Sequence, residues 1–169
     1  TPIVPFMVNR TSEKLLKIAL LTRVVLVGNL VGGLTFAWVI STPDVFSPRI
    51  HEALTAIGHE ALQGTFLVTL VRAVFAGWLI ALMVWMLPAA ASSEISVVFI
   101  MTYIVGIAQL SHVIVGSIEI FYLVVTGQSD VTEYLSFFVP ALVGNVLGGF
   151  ILVTWLNHAQ VVSGGGHQK

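Results

Sequence analysis

His112 stands in the middle of a long apolar run, with Ser111 beside it and Gly116, Ser117 and Glu119 close behind. An unperturbed imidazole titrates at about pH 6.5, so it can give or take a proton when an anion approaches. That is one chemistry open to it; a satisfied structural histidine is the alternative. Ser111, His112 and Glu119 are also hydrolase residue types, but a serine and a histidine adjacent in sequence rarely reach nucleophile and base geometry. This makes an enzyme the weakest reading and leaves no catalytic residue to assign. One histidine does not ligate a metal alone, and no cofactor motif is present. A second run carries Arg72. Its guanidinium is always charged, so it can draw an anion inward but is a poor proton donor. Snorkelling to the membrane surface, or an ion pair with Glu119, are its alternative roles.

The elements that position these groups must be membrane helices. Of 169 residues, 57% are hydrophobic and 9% charged, whereas a soluble domain carries about 25% charged residues. Seven basic and eight acidic residues leave a net charge of -1 and no basic patch for nucleic acid. With no cysteine, disulfides and thiolate chemistry are excluded. A crossing needs about 20 apolar residues, and four stretches qualify, at about 18–40, 65–87, 95–125 and 134–155. Trp38, Trp85 and Trp155 fall near their ends, where indoles prefer the interface. Arg10, Lys14, Lys17 and Lys169 collect on one side and only Arg49 on the other, which puts the C-terminus in the cytoplasm. Between the first two stretches, Ile50, Leu54, Ile57 and Leu62 approximate the stripe of a short amphipathic helix on the membrane surface; a packed loop is the alternative.

The third stretch is too long. Its 31 residues would rise about 46 Å as one helix, and its centre carries Gln109, Ser111, His112, Gly116, Ser117 and Glu119. A helix broken between Ser111 and Ser117 accounts for both, and such breaks must face protein or a watery path. The first and fourth stretches share a motif. Gly28-Asn29-Leu30-Val31-Gly32-Gly33 and Gly144-Asn145-Val146-Leu147-Gly148-Gly149 both read G-N-x-x-G-G. Glycines alone suggest close helix packing; two copies with asparagine in register suggest inverted repeats, with Asn29 and Asn145 bonding exposed backbone at breaks. The repeat before Asn29 is short of a straight span and half a broken one. Together with Thr1 in place of Met, this predicts a single transmembrane domain over 1–169 that is N-terminally incomplete, Thr1–Met7 corresponding to Ser117–Leu123.

These residues resemble the formate/nitrite transporter family. The resemblance rests on Ser111-His112-Val113-Ile114-Val115-Gly116-Ser117, similar to the family's broken fifth span with its central histidine, on Arg72 ahead of Trp78 where the family has a lysine, and on the two G-N-x-x-G-G copies. Ser111 replaces the family's acidic residue, and Gly116 and Ser117 its asparagine and methionine. The resemblance implies an all-α, aquaporin-like inverted-repeat bundle, of which this chain holds the third to sixth of six spans. It further implies a homopentamer in the bacterial inner membrane that passes small monovalent anions such as formate or nitrite, or their conjugate acids. His112, Ser111, Gly116, Ser117, Arg72 and Glu119 would line the path; Gly28, Asn29, Gly144 and Asn145 would support it. A non-conducting structural subunit is the competing expectation.

Overall fold

The computed structural model describes residues 12–164, without the side chains of residues 14, 15, 153, 154 and 156–164. The expectation for Thr1–Met7 lies outside the described residues. Within them all regular structure is helical: α1 (Ser12–Ile40), α2 (Pro48–Leu62), α3 (Phe66–Ala90), a 3-10 turn (Ala91–Ser93), α4 (Glu94–Ile107), α5 (Val113–Val125) and α6 (Val131–Gly164).

Each helix follows from its residues. Along α1 two polar side chains bond back to their own helix: Thr35 Oγ1 donates to Val31 O at 2.8 Å and Asn29 Nδ2 to Val25 O at 2.8 Å. Pro48 opens α2, where a missing N–H costs nothing. Thr65 caps α3 by accepting from Val68 N. Pro88 lies inside the last turn of α3, which ends at Ala90. Ala91, at φ 44°, then ends it.

Among the described residues, three helical stretches are long and apolar enough to cross a membrane: Leu16–Ile40, Phe66–Ile107 and Val131–Leu152. The middle one has 42 residues, about 63 Å of rise, twice a hydrocarbon core. The turn at Ala91–Ser93 divides it into α3 and α4, which pack on each other. The exposed surface is itself apolar, with Leu16 70%, Phe99 66% and Trp155 76% accessible, as lipid-facing helices should be.

Two compact units emerge, one drawn from Thr1–Leu62 and Ile114–Tyr134, the other from Gln63–Val113 and Leu135–Lys169. In the first, Ala37 and Ile40 of α1 bury against Tyr122 and Leu123 of α5, with Leu54 and Leu62 of α2 and Phe121 packed alongside. The amphipathic helix expected over this connection is therefore present as α2, although Ile50 and Ile57 stay exposed. Gly58 lets α2 press on α5, since a Cβ there would lie 2.8 Å from Glu119 O. His51 Nδ1 meets the Tyr122 hydroxyl at 2.8 Å, and Gln128 Nε2 donates to Thr55 Oγ1 at 3.2 Å. In the second unit, the glycines of α6 receive α3. A Cβ on Gly144 would sit 2.5 Å from Leu70 O, and one on Gly148 would collide with Val74 O.

Candidate functional site

The third apolar stretch is broken, but earlier than its polar residues suggest. α4 ends at Ile107 and α5 begins at Val113, so the gap is residues 108–112, not 111–117. The physical reason is a Schellman end. Leu110 N donates to Val105 O and Gln109 N to Gly106 O, both at 3.0 Å, with Gln109 left-handed at φ 50°. A glycine usually takes that position; a glutamine there costs about 1–2 kcal/mol. Gly116 and Ser117 lie within the first turns of α5 and interrupt nothing.

What holds the gap open is one carboxamide. Asn145 Oδ1 accepts from Val113 N at 2.8 Å, and Asn145 Nδ2 donates to Ser111 O at 2.9 Å and to Ala73 O at 2.8 Å. The acceptor satisfies one of the N–H groups that the first turn of α5 leaves without a partner in its own helix. Ser111 O and Val113 N belong to the peptide groups on either side of His112. One side chain thus fixes the backbone before and after the histidine, and ties both to α3. Asn145 can reach that position because Gly144 and Gly148 flank it, and because Gly77 of α3 leaves room for the backbone of Asn145 itself.

The other candidates distribute between the units. Ser111, His112, Arg72, Gly144 and Asn145 belong to the second; Gly116, Ser117, Glu119, Gly28 and Asn29 to the first. His112, Ser111, Arg72 and Glu119 are each half-buried. Arg72 immediately precedes Ala73, whose carbonyl Asn145 engages. Ser117 is 1% exposed, and its hydroxyl lies 3.2 Å from the Tyr134 hydroxyl, whose ring packs on Phe121 at 4.7 Å between centroids. Sequence reasoning missed Tyr134, which falls at the start of an apolar helix and carries no motif. Asn29 departs from the expectation that it would hold a break, since its amide turns back to Val25 O in its own helix. Around Gly28 the space is open, with nothing within 4 Å of where a Cβ would sit.

Among the described residues no group of three or more His, Cys, Asp or Glu side chains is placed to hold a metal. An open groove on α4, lined by Phe99, Thr102, Tyr103, Gly106 and Ile107, contains none of the candidate side chains.

Apolar membrane helices, one of them interrupted at a histidine and held there by a neighbouring helix, define a polytopic membrane protein with a built break. The family model described as formate/nitrite transporter matches residues 1–159, and the chain belongs to that family. The family consists of channels and transporters, not enzymes. The chain is 34% identical over 162 residues to the inner membrane protein YfdC of Escherichia coli (strain K12), covering 95% of this chain and 52% of that protein. It therefore spans about half the length of that curated relative. No solved structure matches it.

Proposed function

We propose that this chain forms a membrane pathway for small monovalent anions, formate and nitrite among them, or for their conjugate weak acids, with His112 at its constriction. Family membership supports the transport class. The observation that carries the finer reading is the single carboxamide of Asn145 bonded to both peptide groups flanking His112. A histidine whose backbone is pinned on both sides can present its ring to a permeant in a fixed place. Arg72, permanently charged, would raise the local anion concentration. The start of α5 lies next to His112, and the positive end of a helix dipole favours an anion there. At the narrowest point a proton from the imidazole would convert the anion to a neutral acid, avoiding most of the desolvation penalty of a bare charge. Ser111, Gly116, Ser117 and Glu119 complete the proposed path.

On this reading the chain supplies the third to sixth spans of an aquaporin-like, inverted-repeat bundle within one transmembrane domain. It assembles as a homopentamer in an inner membrane with its C-terminus in the cytoplasm. The two G-N-x-x-G-G copies support the inverted repeat and the basic residues at 10, 14, 17 and 169 the orientation; the homopentamer rests on family membership alone. The test is flux of formate, nitrite and acetate into proteoliposomes, for the parent protein and for His112→Ala. Saturable flux that the substitution removes supports the proposal. Protein that is folded and inserted yet carries none of these anions above protein-free vesicles overturns it and leaves a non-conducting structural subunit.

A further inference from the structure

The fold splits the apolar stripe of α2 in two. Leu54 and Leu62 pack on the buried cluster of Ala37, Ile40, Tyr122 and Leu123, while Ile50 and Ile57 stay 43% and 44% exposed. At 3.6 residues per turn, Ile50, Ala53 and Ile57 fall on one side of the helix, next to the packed side that carries His51, Leu54, Gly58 and Leu62. Glu52 and His59 fall on the side opposite Ile50 and Ile57, and both are exposed. The helix thus has three sides. One lies on protein, one is polar, and one is apolar and uncovered among the described residues.

We infer that the Ile50, Ala53 and Ile57 side of α2 is seated in lipid, at the boundary of head groups and acyl chains of the leaflet where α1 ends. Depth is the first argument. The cluster on which Leu54 and Leu62 pack includes Ala37 and Ile40, in the last turn of α1, so α2 lies level with the end of a stretch apolar enough to cross a membrane. Trp38, on that same turn, is 64% exposed, an indole where the membrane interface favours one. Only residues 41–47 join the two helices, and Ser41 N and Thr42 N bond back to Ala37 O and Val39 O, which keeps the connection close. The lipid-facing surface of α1 therefore continues onto the free side of α2. Area argues against a second copy of the chain as occupant, because two isoleucines and an alanine present far less than the roughly 800 Å² per partner of a stable protein interface. Charge argues for apolar contact over attraction to anionic head groups, since Arg49 is accompanied by Asp44, Glu52 and Glu60. Because α2 also rests on α5, through Gly58 at Glu119 and His51 at Tyr122, it fastens the helix that follows His112 to the leaflet. The inference does not depend on what the protein carries.

The experiment reads the surroundings of each side of α2 in the parent protein, reconstituted into phosphatidylcholine vesicles. The 169 residues hold no cysteine, so Ile50→Cys, Ile57→Cys, Glu52→Cys and His59→Cys each accept one nitroxide label among them. Collision with oxygen, which concentrates in lipid, is compared with collision with a water-soluble nickel chelate. The ratio of oxygen to nickel collisions is expected to be roughly threefold or more higher at positions 50 and 57 than at 52 and 59, as for a helix lying in the interface. It should not change when half the lipid is replaced by phosphatidylglycerol. Equal ratios at all four positions would place the stripe in water and overturn the inference. Low collision with both reagents at 50 and 57 would place it against protein and overturn it too, as would a difference that arises only with the anionic lipid. The unsubstituted protein gives a check that needs no label: hydroxyl radicals made in the aqueous phase should oxidise His59 and spare Ile50 and Ile57, and ready oxidation of both isoleucines contradicts the lipid contact.

Discussion

Asn29 and Asn145 occupy the same place in the same six-residue motif, yet one bonds its own helix and the other ties three separate backbone groups. The difference lies in what the flanking glycines meet. Around Asn145 the glycines admit another helix so closely that the carboxamide reaches past it to the broken span. Around Asn29, Gly28 and Gly32 meet nothing among the described residues while Gly33 alone packs on Ile118, and the carboxamide folds back on the nearest carbonyl. A motif of small and polar residues in a membrane helix is therefore not a site in itself. It becomes one when an interrupted helix is brought against it, and the interruption in turn depends on the motif to satisfy its freed backbone.

Substitutions that separate the two copies test this, and the largest effect belongs to the glycines. Gly148→Leu puts a side chain into the carbonyl of Val74, and we expect loss of about 3 kcal/mol or more, seen as failure to purify as a monodisperse species. Next comes Asn145→Ala, which removes three interhelical or gap hydrogen bonds. Such bonds contribute about 0.6 kcal/mol each and rarely above about 1.7, so a loss of about 2 kcal/mol in thermal stability is expected, with flux falling much further because His112 is no longer pinned. Asn145→Asp keeps the acceptor for Val113 N but turns a carboxylate oxygen on the carbonyls of Ser111 and Ala73, and should cost at least as much as the alanine, since an ionised group in a span is expensive.

Smaller effects are expected where the first unit is braced. Tyr122→Phe deletes the hydroxyl that His51 engages at 2.8 Å and should cost about 0.5–1.5 kcal/mol, read as faster proteolysis of α2. Gln128→Ala removes an exposed bond to Thr55 and should change stability by less than about 0.5 kcal/mol. A large effect at Gln128 would mean that α2 is held by its polar contacts and not by Leu54, Leu62 and Gly58.

Much of this architecture is legible in the amino-acid sequence because lipid is a demanding solvent. Length and apolarity reveal membrane helices and the overlong third stretch reveals a break, although three stretches rather than the expected four are long enough to cross among the described residues; Asn145 of the repeated motif is the group that serves the break. The position of the break is not legible, because the residue that turns the chain is Gln109 in a left-handed conformation where a glycine would have been the signal. The polar residues after it drew the expected break three residues too late, since Ser117 turns out to bond Tyr134 within intact helices. Contacts between residues far apart in sequence, such as His51 with Tyr122, leave no pattern to read. The open first motif could not be told from the engaged one, because the six residues are the same type for type at every defining position.

The most direct test of the central claim is formate flux into proteoliposomes of the parent protein between about pH 5 and 8, the range in which an imidazole changes charge, with Asn145→Ala and His112→Ala beside it. The account predicts that wild-type flux varies with pH, that His112→Ala abolishes the flux or its pH dependence, and that Asn145→Ala does the same from an inserted, folded protein. Flux and pH dependence unchanged in both variants would contradict it.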